Sequence, residues 1–152
     1  MDRLYKALAF TLKAEGGYVD DANDPGGATN KGITQAVYDN YRIVNKLDKQ
    51  SVRLISANEV YDIYENNYWN CLGCDKISDI KLAISVFDAG VNAGPARAAK
   101  WLRLCNRDYK QFNQLRLNYY NNLVKVNAKL VRYLKGWTNR VNSLNLYLTT
   151  IK

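Results

Sequence analysis

Apolar side chains recur along this chain with the period of a helix nearly from end to end. Leu4, Leu8 and Leu12 stand at i, i+4 and i+8 and define one inward stripe. The stripe predicts a first helix that runs to Glu15 and stops at Gly16-Gly17. Glu15 lies three positions after Leu12 and seven after Leu8, so it continues the apolar face rather than the solvent face. Residues 18–33 lose the period and read as loop, with a small hairpin strand over Thr29 to Ile33. Thr34 is placed to N-cap a helix carrying Val37, Tyr38 and Tyr41, and 44–55 read as loop with helical turns.

Ser56-Ala-Asn-Glu59 has the spacing of a capping box, followed by Val60, Ile63, Tyr64 and Tyr68 at helical period. Residues 79–93 are apolar nearly all round and predict a buried central helix. Gly94-Pro95 ends it and opens the next, over 95–105, with Trp101, Leu102 and Cys105 facing inward. Helices over 110–124 and 138–149, with a shorter one around 127–135, complete the reading. The expectation is a mainly all-α single domain of about seven helices with at most a small β-hairpin.

Against this apolar background a few polar residues are misplaced. Asp88 and Asn92 share one face of the predicted buried helix. They must either pair inside the core, for instance with an arginine, or line a cleft. Glu15 sits at a helix C-terminus on a partly desolvated face. Both settings disfavour the anion and would raise its pKa, as a general acid needs. Glu59 reads as a cap residue in competition with a catalytic role. Glu65 reads as a solvated helix residue with a smaller claim on a cleft.

Composition narrows the chemistry. The 152 residues contain no histidine, which removes Ser-His-Asp and Cys-His catalysis and leaves carboxylates, lysine or tyrosine to move protons. Of the three cysteines, Cys71 and Cys74 have C-x-x-C spacing. Without a second pair or a histidine they favour unpaired thiols over a zinc or redox site. No metal and no cofactor are expected. The N-terminal apolar positions are interrupted by Lys6 and Lys13, so they read as a helix of the mature fold rather than a signal peptide. Synthesis in a cytoplasm, with release by a route the sequence does not show, is the expectation.

Charge divides the chain. Residues 1–76 carry 9 basic and 11 acidic side chains, a balance of −2, whereas 77–152 carry 13 and 3, a balance of +10. The second half is therefore expected to face a polyanion such as cell wall, lipid headgroups or nucleic acid, or to be a generic solubilising surface.

The richest segment is 15–34, EGGYVDDANDPGGATNKGIT, with five of the nine glycines and Pro25. Asp24 follows Glu15 after eight residues, on a Pro-Gly-Gly turn that can return it toward Glu15, and Thr29 follows five positions later. Two carboxyl groups across a cleft are the minimum for glycoside hydrolysis. Spacing alone favours Asp24 as an Asx-turn or cap residue, Asp20 and Asp21 are alternatives for the second carboxylate, and the spacing departs from a calcium loop. Flat faces and amides for sugar binding are offered by Tyr18, Tyr68, Trp69, Asp88 and Asn92. Trp101 and Trp137 read as core.

Glu15-Gly-Gly-Tyr18, Asp24-Pro-Gly-Gly27, Thr29 and Gly32-Ile-Thr34 together resemble the glycoside hydrolase family 108 muramidases of phage endolysins and secretion-linked bacterial systems. Val86-Phe-Asp88, Val91-Asn92, Gly94-Pro95, Arg97, Trp101-Leu102, Gly136-Trp137 and Arg140 resemble that family's C-terminal predicted peptidoglycan-binding region. The resemblance spans essentially the whole chain. It implies a lysozyme-like domain with a catalytic region over 1–76 and a basic helical peptidoglycan-binding region over 77–152. It implies an N-acetylmuramidase that cuts the β-1,4 bond after N-acetylmuramic acid, with Glu15 as the catalytic glutamate.

The Glu, eight residues, Asp, Thr order is also similar to phage T4-type lysozymes, with one residue fewer before the threonine. That supports Asp24 and Thr29 as helpers. The partners so implied are bacterial peptidoglycan and the anionic envelope, with no nucleic acid, for a monomer released by a holin or a dedicated exporter. A non-catalytic wall-binding module and a basic helical nucleic-acid-binding protein are the rival readings.

Overall fold

The computed structural model describes residues 2–21 and 26–152. Asp24 and Pro25 therefore lie outside the described residues. Helix α1, Arg3–Glu15, begins at Asp2, whose carboxylate accepts from the Leu4 amide, and ends at Gly16, whose φ of 81° is a conformation that favours glycine. A two-stranded antiparallel hairpin follows: β1, Thr29–Asn30, pairs with β2, Ile33–Thr34, in the register Thr29 opposite Thr34. Val19 exchanges two 2.8 Å backbone hydrogen bonds with Thr29, so the chain leaving α1 folds back onto the hairpin.

Helix α2, Gln35–Val44, is capped by Thr34 as its sequence predicts. Helix α3, Ala57–Tyr64, carries the complete capping box between Ser56 and Glu59. It continues into a π-helical turn, Glu65–Asn70, which the periodicity reads as ordinary helix. The remaining helices are α4, Ile80–Ala93, α5, Pro95–Leu104, α6, Tyr109–Val126, and α7, Val131–Thr150. The expected pair of short helices around 127–135 and 138–149 is in fact one long helix, α7, preceded by the short 3₁₀ turn Ala128–Leu130. Gly136 sits within α7 without breaking it, since Val141, Leu144 and Leu148 bury one stripe of that helix in the core.

Helix α4 is the axis of the molecule: nine consecutive residues, Leu82 to Gly90, are buried. α1, α5 and α6 pack directly on it, and α7 packs on α6 and α1. The charge boundary near residue 76 is thus not a packing boundary, because α1 lies against α4 and α7 of the basic half. The hairpin, α2 and α3 form the other side of the molecule, with Tyr38, Val52, Val60 and Tyr64 buried between them. Glu15 stands where α1 meets the hairpin.

Candidate active site

The last turn of α1 places the Glu15 carboxyl at a junction of three elements. From below, Arg140 of α7 approaches, with Nη1 2.7 Å from Glu15 Oε1. From above, Gly32 of the hairpin turn covers the side chain: a Cβ added at Gly32 would stand 3.0 Å from Glu15 Cγ and 2.6 Å from the Tyr64 hydroxyl. Gly32 also has φ of +75°, so both backbone and space demand glycine. Tyr64 fixes the turn by donating its hydroxyl to the Lys31 carbonyl at 2.7 Å. The Glu15 side chain retains 21% of its exposure and so opens to solvent on one side.

Arg140 is itself held. Its Nε and Nη2 donate to the two oxygens of Asp88 at 3.2 and 2.8 Å, a bidentate pairing that leaves Nη1 for Glu15. Asp88 is fully buried and accepts further bonds from Arg116 Nη1 at 2.8 Å and Thr11 Oγ1 at 2.9 Å. Arg116, also fully buried, donates its other nitrogens to Tyr120 and to Asn92 Oδ1, which in turn accepts from the Tyr120 hydroxyl at 2.6 Å. The result is an alternating chain, Glu15, Arg140, Asp88, Arg116, in which opposite charges neutralise one another. Burial pushes the Asp88 carboxyl up, and the two guanidiniums overcome it and hold it below the usual aspartate range. Burial lowers the Arg140 pKa, but Asp88 first and Glu15 second raise it further, so Arg140 is a permanent cation.

Tyr64 and Tyr68 flank this cluster. Burial raises the pKa of both phenols, and the charge of Glu15 adds to it, so both rings lie within electrostatic reach of that carboxylate. Their rings pack at 5.6 Å from each other and against Phe87 of α4.

The sugar-binding candidates separate. Tyr18 is exposed, with Arg53 over its ring at 5.5 Å. Tyr68 is half-buried near the carboxylate. Trp69 turns inward, almost fully buried, and donates its Nε1 to Asp75 at 2.9 Å, so it does not offer a face to a ligand. Asp88 takes the core-pairing alternative: with no exposure it can touch no substrate, and it acts on Glu15 through Arg140. Asn92 faces Arg116 and Tyr120. Thr29 is half-buried in β1, at the strand end nearest Val19. Asp24 is outside the described residues. Asp20 is exposed and accepts from the Tyr18 hydroxyl at 3.3 Å.

Glu59 is structural, as its spacing indicates. It accepts from the Ser56 amide, from Tyr38 and from Arg42, the last at 2.6 Å. Trp101 is buried as expected, whereas Trp137 is only half-buried, stacked between Tyr120 and Tyr133. Among the described residues no group of three or more His, Cys, Asp or Glu side chains is placed to hold a metal. Cys71 is exposed and Cys74 buried, both as free thiols.

Sequence reasoning did not assign Arg140 or Arg116 to the site. The signal is nevertheless present. Phe112, Arg116 and Tyr120 share one stripe of α6, and Arg140 precedes Leu144 and Leu148 on α7. An arginine on an apolar stripe needs a buried anion, and Asp88 on α4 is such an anion.

The fold is a lysozyme-like helical domain with an ion-paired glutamate at the end of its first helix. The chain belongs to the glycosyl hydrolase 108 family, whose model matches residues 8–94, a span that holds Glu15, the hairpin and Asp88. Among solved structures it is similar to Brucella abortus SagA, at 28% identity with a TM-score of 0.72, over 97% of this chain and 94% of that one. No curated protein matches the chain. The family supports a glycoside hydrolase of the muramidase type with peptidoglycan as its general substrate.

Proposed function

We propose that the protein is an N-acetylmuramidase that hydrolyses the β-1,4 bond between N-acetylmuramic acid and N-acetylglucosamine, and that it serves as an endolysin in host lysis. The observation that carries this reading is the position of Glu15, a half-buried carboxyl fixed between Arg140 and Gly32 within a family of glycosyl hydrolases.

In the proposed reaction Glu15 delivers a proton to the glycosidic oxygen as the bond to C1 of the N-acetylmuramic acid breaks. The step leaves a carboxylate 2.7 Å from a guanidinium that is already in place, so no reorganisation is needed to receive the new charge. The Asp88 pairing keeps Arg140 from following solvent instead. Asp24 is assigned to orient or activate water, and Thr29 to help place that water. The basic face of the second half would hold the enzyme on the anionic envelope. Access to the wall would come through a holin or an exporter.

A turbidity assay on purified peptidoglycan with wild type and Glu15→Gln tests the reading. Clearing by wild type alone, with new reducing ends at N-acetylmuramic acid, is expected. Equal clearing by both proteins removes Glu15 from the chemistry, no clearing by either favours a binding module, and reducing ends at N-acetylglucosamine reassign the bond.

A further inference from the structure

Two phenols lie near the Glu15 carboxyl, and only one of them is spent. Tyr64, the last residue of α3, is buried and donates its hydroxyl to the Lys31 carbonyl at 2.7 Å. That bond holds the hairpin turn and uses the one proton the hydroxyl can donate. Tyr68 follows four positions later, in the π-helical turn Glu65–Asn70. Its hydroxyl forms no hydrogen bond among the described residues. The ring is half-buried, and the one buried side-chain oxygen or nitrogen without a partner among those residues is Asn113 Oδ1, so the Tyr68 hydroxyl reaches solvent.

The ring that carries this free hydroxyl is fixed. It lies 5.6 Å from the Tyr64 ring and meets Phe87 of α4 edge-on at 6.5 Å. Tyr64 in turn adjoins Glu15: the Tyr64 hydroxyl and Glu15 Cγ border the same space beside Gly32, 2.6 and 3.0 Å from where its Cβ would stand. Glu15, Tyr64 and Tyr68 are therefore successive neighbours, and the first and last of them keep contact with solvent. Burial first and the charge of Glu15 second push the Tyr68 phenol up. It stays protonated, so it can donate a hydrogen bond but serve neither as base nor as nucleophile.

We propose that Tyr68 is a further catalytic residue, whose hydroxyl donates a hydrogen bond to the glycosidic oxygen as that oxygen leaves. The oxygen has a lone pair for the proton of Glu15 and another for the phenol. The bond to C1 breaks with its electron pair passing to the oxygen, Glu15 gives up the proton, and Tyr68 keeps its own. The hydrogen bond strengthens as charge gathers on the oxygen, so it favours the transition state over the bound substrate. This inference rests on the hydrolase reading of Glu15. It explains why two tyrosines stand near one carboxyl: Tyr64 shapes the site, and Tyr68 acts in it.

Tyr68→Phe removes the hydroxyl and keeps the packed ring. Its melting temperature should match that of wild type, since the hydroxyl has no protein partner to lose, whereas Tyr64→Phe should melt lower. On glycan strands Tyr68→Phe should lower kcat about 100-fold and change KM by less than about threefold. The decisive comparison keeps the sugar and changes the leaving group. With a nitrophenyl glycoside of the N-acetylglucosaminyl-N-acetylmuramic acid disaccharide, the departing phenolate needs little help, so Tyr68→Phe should come within about threefold of wild type. Tyr64→Phe, whose hydroxyl is structural, should slow both substrates by the same factor.

A kcat for Tyr68→Phe within about twofold of wild type on glycan strands overturns the proposal. So does an equal loss on the two substrates, with or without a lower melting temperature, because a hydroxyl that only supports the fold cannot tell one leaving group from another. Wild type that cleaves neither substrate overturns the hydrolase reading itself. Failure of that reading and failure of the Tyr68 assignment are thus told apart by the wild-type rates.

Discussion

Arg140 binds Asp88 with one edge of its guanidinium and Glu15 with its remaining nitrogen, so a buried aspartate sets the position of a half-exposed glutamate. A lysine cannot do this, having one point of charge where the site needs a planar fork. Arg140→Lys should therefore keep the fold but lower kcat roughly 10- to 100-fold, with a smaller change in KM, because the carboxyl is no longer held in one orientation. Steady-state kinetics on solubilised glycan strands, alongside a thermal melt, check it. A proportionate loss of kcat and of stability would reduce Arg140 to a purely structural part.

Asp88 is expected to matter more for stability than for contact with substrate. Asp88→Asn leaves Arg116 buried without a counter-charge and Arg140 with Glu15 alone, a loss of about 3–5 kcal/mol. The pH dependence has a definite sign. The folded-state pKa of Asp88 is depressed by its two arginines, so its contribution is complete above the ordinary aspartate value, about 3.9, and is lost as pH falls through the folded value. Denaturant midpoints from pH 7 down into the acid range should fall for the wild type, while Asp88→Asn should begin low and lack that component.

Much of this architecture is legible in the sequence because it is local. The Ser56–Glu59 capping box, the Thr34 cap, the Gly94-Pro95 break and the inward stripe that carries Glu15 each depend on residues a few positions apart. What is not legible depends on distant pairings. Glu15 and Arg140 meet only because α1 packs on α4 and α7 packs on α6 and α1, and periodicity says which face is inward without saying what it meets. Asp88 shows the boundary well. Its misplacement on an apolar helix is plain, but whether it faces a sugar or an arginine is decided by α6 and α7. Trp69 fails for a related reason: the π-helical turn rotates it toward Asp75 and the core, and a 3.6-residue period does not anticipate that rotation.

Glu59 supplies a control for the assignment of the catalytic glutamate. Burial pushes its carboxyl up, but the Ser56 amide, the Tyr38 hydroxyl and Arg42 together hold it below the usual glutamate range. Glu59→Gln should cost about 1–3 kcal/mol at neutral pH, as a cap and a hydrogen-bonded ion pair are lost. Since the folded pKa is depressed, the difference from wild type should shrink as pH falls through it. Hydrolysis per folded molecule should stay within about twofold of wild type, because the residue is remote from the reacting bond. A loss comparable to that of Glu15→Gln would reverse the two roles.

Gly32 couples the hairpin to the Glu15 carboxyl, the proposed proton donor, through sterics alone. In Gly32→Ala the new methyl meets the Tyr64 hydroxyl at 2.6 Å and Glu15 Cγ at 3.0 Å, on a backbone whose φ of +75° an L-residue rarely adopts. The hairpin must lift, or Glu15 must turn away from Arg140. The expected cost is about 1–3 kcal/mol in stability, with a fall in kcat of at least roughly tenfold.

The two sources of that cost can be separated by removing the hydroxyl. Tyr64→Phe abolishes the nearer clash and also the bond to the Lys31 carbonyl, so alone it should destabilise by about 1 kcal/mol. Combined with Gly32→Ala it should be less than additive in stability, since part of the alanine penalty is the Tyr64 contact, while the strain of positive φ and the contact with Glu15 remain. Full recovery of kcat in the double variant would place the whole effect on Tyr64. Partial recovery of stability with kcat still depressed would show that the Glu15 contact limits turnover, which is the outcome the geometry at the hairpin turn requires.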